Sequence, residues 1–262
     1  MLKIRLLGTG GSSGVPLIGG ADGHGDWGCC DPAEPRNRRT RASILIRGPE
    51  GTLLVDTAPD MRTQLLAAGE ARVDALFYTH AHADHILGLD DVRALNRAAG
   101  RPLEAFASAA TLTELERRFE YAFRPWQPPG FYRPVLLGRP VVPGQDVRIG
   151  SFDVATFDQN HGYTRSMGLR IGNFAYSTDV VTLDDASLAR LEGLDTWVVG
   201  CFQRREHHTH AWLERVLEWV GRIHPRRTVL THMGPDMDWA WLTANLPPGL
   251  EPAYDGLELE VP

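Results

Sequence analysis

Cysteine is scarce. The 262 residues contain three thiols, Cys29, Cys30 and Cys201. Two are adjacent and the count is odd, so they cannot build a disulfide framework, and a reducing compartment is expected. No apolar run approaches the roughly 18 residues of a membrane span. The first seven residues interleave charge with apolar side chains and run into Gly8, which reads as a first strand rather than a signal peptide. The cytoplasm is therefore the expected location, with no membrane partner. Basic charge is not in excess: 27 Lys and Arg stand against 33 Asp and Glu, a net charge of −6. That balance argues against a general nucleic-acid binder. No internal repeat, low-complexity tract or obvious linker interrupts the chain.

Apolar residues make up 43% and charged residues 23%, ordinary values for a globular protein. A chain of this length buries about three quarters of its unfolded surface, which excludes disorder and a stapled mini-fold. Short β-rich runs recur. Residues 43–47 and 52–56 flank Pro49-Glu50-Gly51 and read as a hairpin. Strands are expected at 73–79, 147–157, 167–171, 174–177, 196–199 and 228–230. Helices are expected at 86–99, 111–123, 183–191 and 210–223 from their apolar spacing. Residues 124–134, rich in proline and aromatics, should be loop. Two packed sheets with helices outside suit this order.

The outstanding segment is Thr79-His80-Ala81-His82-Ala83-Asp84-His85. Four metal-ligand side chains fall within six positions, directly after an apolar strand. Successive strand residues alternate faces, so His80 and His82 point the same way. A turn or helix start at Asp84-His85 lets the second pair point elsewhere, so one loop can feed two neighbouring ions. Imidazole suits zinc, and carboxylates help hold a second ion. A solvated, His-rich loop is the bland alternative, and this spacing disfavours it. His161, Asp179 and His232 each lie in the first loop after a β-like run. Singly, each would more often be a cap or a turn residue. Together they agree with one site at one edge of the sheets.

With these residues the sequence resembles the metallo-β-lactamase-fold hydrolases. The likeness runs over nearly the whole chain and implies one domain, residues 1–262, of α+β class: a four-layer αββα sandwich with two divalent ions, Zn²⁺ or Mn²⁺, at one edge. It implies that His80, His82 and His161 hold one ion, that Asp84, His85 and His232 hold the other, and that Asp179 bridges them. Asp56 matches a family aspartate that supports the metal loops. Within the superfamily the likeness is to the phosphoribosyl cyclic phosphodiesterases of phosphonate breakdown. It rests on Leu7-Gly8-Thr9-Gly10-Gly11 with Gly14-Val15-Pro16, Leu230-Thr231-His232, and Tyr254-Asp255-Gly256-Leu257-Glu258. His210 falls where those enzymes have a His near the substrate phosphate. Those relatives also carry a cysteine-rich structural zinc site. Only Cys29 and Cys30 remain here, so that zinc is expected to be absent and both thiols are expected to be buried.

The resemblance implies a two-metal phosphodiesterase acting on a small phosphate ester, cyclic or nucleotide-like. Asp84 would hold one ion and orient the nucleophile, and His210 would stabilise the transition state or protonate the leaving oxygen. The rival readings are a transfer-RNA 3′-processing nuclease, a thioester or lactam hydrolase, and a cofactor-biosynthesis binding protein of the same superfamily. The glycines of 8–14 fail the dinucleotide spacing and read instead as a tight turn beside the metals, with amides facing an anion. The run Arg36-Asn37-Arg38-Arg39-Thr40-Arg41 reads first as a solvated edge and second as an attractor of phosphate. The aromatics between 119 and 132 read as packing or a homodimer contact, with a lid over a nucleobase as the rival.

Overall fold

The computed structural model describes residues 1–262. The chain folds into two seven-stranded sheets. The first contains β1 (Leu2–Gly8), β2 (Ser43–Gly48), β3 (Gly51–Val55), β4 (Ala75–Phe77), β5 (Leu103–Ala107), β6 (Leu136–Pro140) and the last strand, β14 (Glu258–Val261). The second contains β7 (Asp146–Ile149), β8 (Phe152–His161), β9 (Thr164–Ile171), β10 (Phe174–Ser177), β11 (Thr196–Gly200), β12 (Arg227–Thr231) and β13 (Leu250–Pro252). The orders are β14-β1-β2-β3-β4-β5-β6 and β13-β12-β11-β10-β9-β8-β7. Each sheet is an antiparallel meander at one side and parallel at the other.

The two-residue period of the strands explains the layering. Ile44, Ile46, Leu53, Val55 and Phe77 face the second sheet and pack with Phe157, Leu169, Tyr176 and Val198. Their neighbours Leu45, Leu54 and Leu76 point the other way, onto Met61, Leu65, Val92, Leu95, Leu112 and Leu115 of the outer helices. A sheet apolar on both faces must be covered on both. On the far side, Trp197 of β11 lies 6.2 Å, centroid to centroid, from Trp219 of the helix Leu213–Ile223. The result is the expected four-layer sandwich.

Several elements differ from expectation. The strand expected at 73–79 is the short Ala75–Phe77, because the chain leaves the sheet early to form the histidine loop. The helix expected at 86–99 is broken into Ala83–Ile86, a 3₁₀ turn at Leu87–Asp91, and Val92–Ala99. The next, expected at 111–123, breaks at Phe119, whose backbone leaves the helical region. The run 147–157 is a hairpin, with Gly150 at φ +56 in the turn. The long helix begins at Leu213 rather than His210, and its N-cap is Trp212, not Thr209. Sequence reasoning did not find β5, β6, β13, β14 or the helices Met61–Ala68 and Trp239–Asn245.

One close approach is exacting. Gly168 of β9 sits opposite Phe157 of β8, and a Cβ at 168 would lie 2.2 Å from Phe157 Cε2 and 2.8 Å from Gln159 Oε1. Gly168→Ala is therefore expected to cost about 1–3 kcal/mol of stability through overpacking. Urea unfolding checks it; an unchanged midpoint would show that the ring has room to move.

Candidate metal centre and cleft

Strand direction brings the site together. β3 and β4 are parallel, so Asp56 and the loop 79–85 emerge at one edge. β8 and β10 both run antiparallel to β9, and β10, β11 and β12 are parallel, so His161, Asp179 and His232 emerge together. Asp56, Asp179 and His232 have φ of 63°, 51° and 53°. That left-handed conformation is uncommon outside glycine and strained for such residues. Here it turns the chain sharply at three strand ends and aims the side chains into the site.

All seven sequence-identified ligands meet. They form two groups, His80, His82, His161 and Asp179, and Asp84, His85, Asp179 and His232, within each of which the donor atoms lie within 4.8 Å of one another. Asp179 is common to both. Its Oδ1 lies 3.4 Å from His161 Nε2, and its Oδ2 lies 3.0 Å from His85 Nε2 and 3.2 Å from His232 Nε2. His161 Nε2 is 3.2 Å from His82 Nδ1, and Asp84 Oδ2 is 3.2 Å from His85 Nε2 and 3.4 Å from His232 Nε2. Tetrahedral bonds of 2.0–2.1 Å would place ligand atoms about 3.3 Å apart, so both groups fit such an ion.

The hydrogen bonds agree. Thr79 donates its N–H and its hydroxyl to the two Asp56 oxygens, each at 2.8 Å. That hydroxyl can then accept from His80 Nδ1, 3.1 Å away. His85 Nδ1 donates to Asp56 Oδ2 at 2.7 Å, and His161 Nδ1 to the Thr209 carbonyl at 2.7 Å. Each bond fixes a tautomer and leaves the other nitrogen free as a ligand. Nε2 of His80 and of His85 is buried without a hydrogen-bond partner, as a metal-facing nitrogen should be.

Charge is concentrated at this edge. Burial opposes ionisation of Asp179, but His232, His85 and His80 outweigh it and hold the carboxyl well below its ordinary range. Burial likewise opposes charge on His85, yet Asp84, Asp179 and Asp56 hold that imidazole well above its usual value. Burial takes His80 well below. Removing one of the three Asp56 hydrogen bonds should loosen the ligand loop. Asp56→Asn is expected to weaken metal affinity by about 10–100-fold, the usual worth of such supporting contacts. Chelator competition measures it, and wild-type affinity would make Asp56 a fold residue only.

Over the centre lies a cleft of ≈ 240 Å³, lined by Ser12, His82, Asp84, His161, Tyr163, Thr164, Asp179, Thr209 and His210. His210 is there as the sequence suggested. Its Nδ1 is 3.5 Å from Asp179 Oδ1, and its ring packs against both Phe202 and His232 at centroid distances of 4.9 Å and 5.0 Å. Burial lowers its imidazole to about 3, with Asp179 opposing. Sequence reasoning missed Tyr163, Thr164, Phe202 and Thr209. The turn at Gly162-Tyr163, directly after a ligand, was a signal for the first two. Nothing local marks Thr209, which acts through its carbonyl.

Other expectations change. Gly10, Gly11 and Gly14 donate their amides to the carbonyls of Thr40, Met233 and Gly11, so these glycines form a turn and not an anion cradle. A Cβ at Gly11 would meet the Phe202 ring at 2.7 Å, which explains the glycine there. The basic run is largely structural. Arg39 is buried and donates to the Met237 carbonyl at 2.7 Å, and Arg41 pairs with Asp60. Cys30 is buried, but Cys29 is exposed, contrary to expectation, because its backbone N–H is tied to the Pro235 carbonyl at the surface. Phe119 and Phe131 are buried, and Trp126 stacks on Phe131 at 4.6 Å, so most of the aromatic segment packs against its own fold. No helix is long and apolar enough to cross a membrane.

Residues 52–233 match the family described as the beta-lactamase superfamily domain. The chain belongs to the β-lactamase superfamily. Its sandwich and ligand order are those expected of a metallo-β-lactamase fold. This superfamily member is 32% identical to an octanoyltransferase of Porphyromonas gingivalis over 98% of its own length and 51% of that protein. It is 29% identical to a ribonuclease Z of a Bradyrhizobium species over 51% of its own length and 44% of that protein. The chain thus spans about half the length of the curated relatives it matches. Among solved structures it superposes on a diphosphatase of the PhnP family with a TM-score of 0.89 and 33% identity, covering 99% of this chain and 97% of that one.

Proposed function

We propose that the protein is a two-metal hydrolase of small phosphate diesters, cyclic or nucleotide-like. The observation that carries this reading is the pair of four-ligand groups sharing Asp179 at the floor of a small polar cleft. Zn²⁺ or Mn²⁺ ions in those groups would supply Lewis-acid charge and activation of water near neutral pH. The chain's own residues do the rest. Ser12 and Thr164 offer hydroxyl donors on the cleft wall. Asp84, buried but lining the cleft, would accept a hydrogen bond from the attacking water and so aim it. His210, stacked and fixed, presents its ring to the leaving oxygen. The cleft has no Lys or Arg in its lining, so phosphate charge would be met by the ions, with His210, which burial holds neutral near pH 7, offering a ring N–H.

The likeness to the diphosphatase of the PhnP family supports phosphorus chemistry. The octanoyltransferase name belongs to a protein about twice as long. An eight-carbon acyl chain would need an apolar channel, and this lining is polar apart from one tyrosine. The net charge of −6 and the cleft size favour a small ester over RNA. No other protein, nucleic acid or membrane enters the proposal.

The test is a substrate panel with Zn²⁺ or Mn²⁺ added: bis-p-nitrophenyl phosphate, a thioester, a cephalosporin and precursor tRNA. Turnover of the phosphate diester alone is expected. Turnover of the thioester or cephalosporin without the diester would overturn the reading. Elemental analysis of protein purified without added metal should find close to two ions per chain, unchanged by Cys29→Ser with Cys30→Ser. A content near zero that added Zn²⁺ or Mn²⁺ does not raise would remove the metal centre.

A further inference from the structure

We propose that Tyr163 is the specificity platform of the cleft, and that the group attached to the substrate phosphate is a planar ring of the nucleobase kind. This rests on the phosphodiester reading above.

Tyr163 is almost wholly solvent-exposed, at 98%, yet it lines the cleft. It is the one ring there besides the histidines, and the rest of the lining is hydroxyl, carboxylate and imidazole. It stands on the two-residue turn between His161 and Thr164, which are paired as the last residue of β8 and the first of β9. A residue two positions from a candidate ligand cannot lie far from the reacting phosphate.

The tip is held from both sides. Gly162 has φ +71 and donates its amide to Asn160 Oδ1 at 2.8 Å. A Cβ at 162 would lie 2.6 Å from Thr209 Cγ2, so only glycine lets the hairpin close on the loop whose carbonyl fixes His161. The Asn160 backbone is bridged to residues 181 and 182 by bonds of 2.7 Å and 3.1 Å. The hairpin tip that carries Tyr163 is thus fixed, and its ring stands uncovered at the mouth of a polar cleft. A tyrosine has only two side-chain torsions to order on binding, so its ring offers contact area at low entropy cost. An uncovered tyrosine ring beside a phosphate site suits stacking with a base, which is tolerant of base identity because every base has a π-face. An alkyl or simple sugar substituent would leave the ring without use.

Calorimetric titration of the Zn²⁺-supplemented protein with AMP and with ribose 5-phosphate tests this. AMP should bind about tenfold or more tighter, the usual scale of one base–aromatic stack. Tyr163→Ala should erase the preference and Tyr163→Phe should keep it. Equal affinities for the two ligands in the wild type would overturn the proposal, as would a Tyr163→Ala variant that weakens both by the same factor. The diester panel separates the two readings. If no diester is turned over while the AMP preference persists and depends on Tyr163, the phosphodiesterase reading fails and the ring subsite stands.

Discussion

Asp179→Ala is expected to strip both metal ions and lower kcat/KM on a phosphate diester by roughly 10⁴-fold or more, several kcal/mol of lost transition-state stabilisation. Its carboxylate is the one side chain common to the two ligand groups, with Oδ1 facing His161 and Oδ2 facing His85 and His232. No neighbour can substitute, because Asp84 Oδ2 already faces His85 and His232, and both Asp56 oxygens are committed to Thr79 and His85. His82→Ala should behave differently. His82 is exposed and belongs to the first group only, so about one ion per chain should remain. Elemental analysis of the two variants, with circular dichroism to confirm folding, gives the comparison. Two ions retained in folded Asp179→Ala would exclude a bridging role.

The candidate ligand set was legible in the sequence because it is a local pattern reinforced by three strand ends. The four-ligand cluster directly after an apolar run marked His80 and His82, although the strand alternation expected for them stops at Phe77, and each distant candidate followed a β-rich stretch. The layering was legible for the same reason: continuous apolar runs such as Ile44-Leu45-Ile46 imply a sheet covered on both faces. Less legible were the elements whose identity is set by tertiary contact. β4 keeps only three residues because the metal loop takes the rest. The helix after His210 starts late because the backbone of Phe202 to Leu213 is paired with its neighbours, Ala211 N–H bonding the Val180 carbonyl and Leu213 N–H the Gln203 carbonyl. Arg39 shows the limit of charge patterning. A run of arginines suggests a solvated edge, yet this one is buried, with Met237 O and Asn37 Oδ1 as partners. Charge counts along a sequence do not say which cation the fold encloses.

His210→Ala is expected to keep both ions and the fold but to lower kcat by roughly 10²–10⁴-fold, the worth of a positioned acid or base. The ions should stay because His210 completes neither ligand group. The rate should fall because its ring is held beside Asp179, against Phe202 and His232, and lines the cleft with 14% of the side chain exposed. A ring fixed this way loses little freedom on meeting a substrate. Its role depends on the leaving group. Burial holds this imidazole neutral, so it can give up a proton only once the negative phosphate beside it favours the charged form. An alkoxide leaving oxygen needs that proton and should show the full loss, whereas p-nitrophenolate leaves readily without one. The penalty should therefore be largest for alkyl esters and smallest for bis-p-nitrophenyl phosphate. If the two losses are equal, His210 binds phosphate and transfers no proton. Phe202→Ala offers an independent check, since it removes the stacking partner and leaves the imidazole: a smaller fall in kcat with the same leaving-group trend is expected. Rates near wild type on every ester in His210→Ala would place the residue outside the reaction altogether.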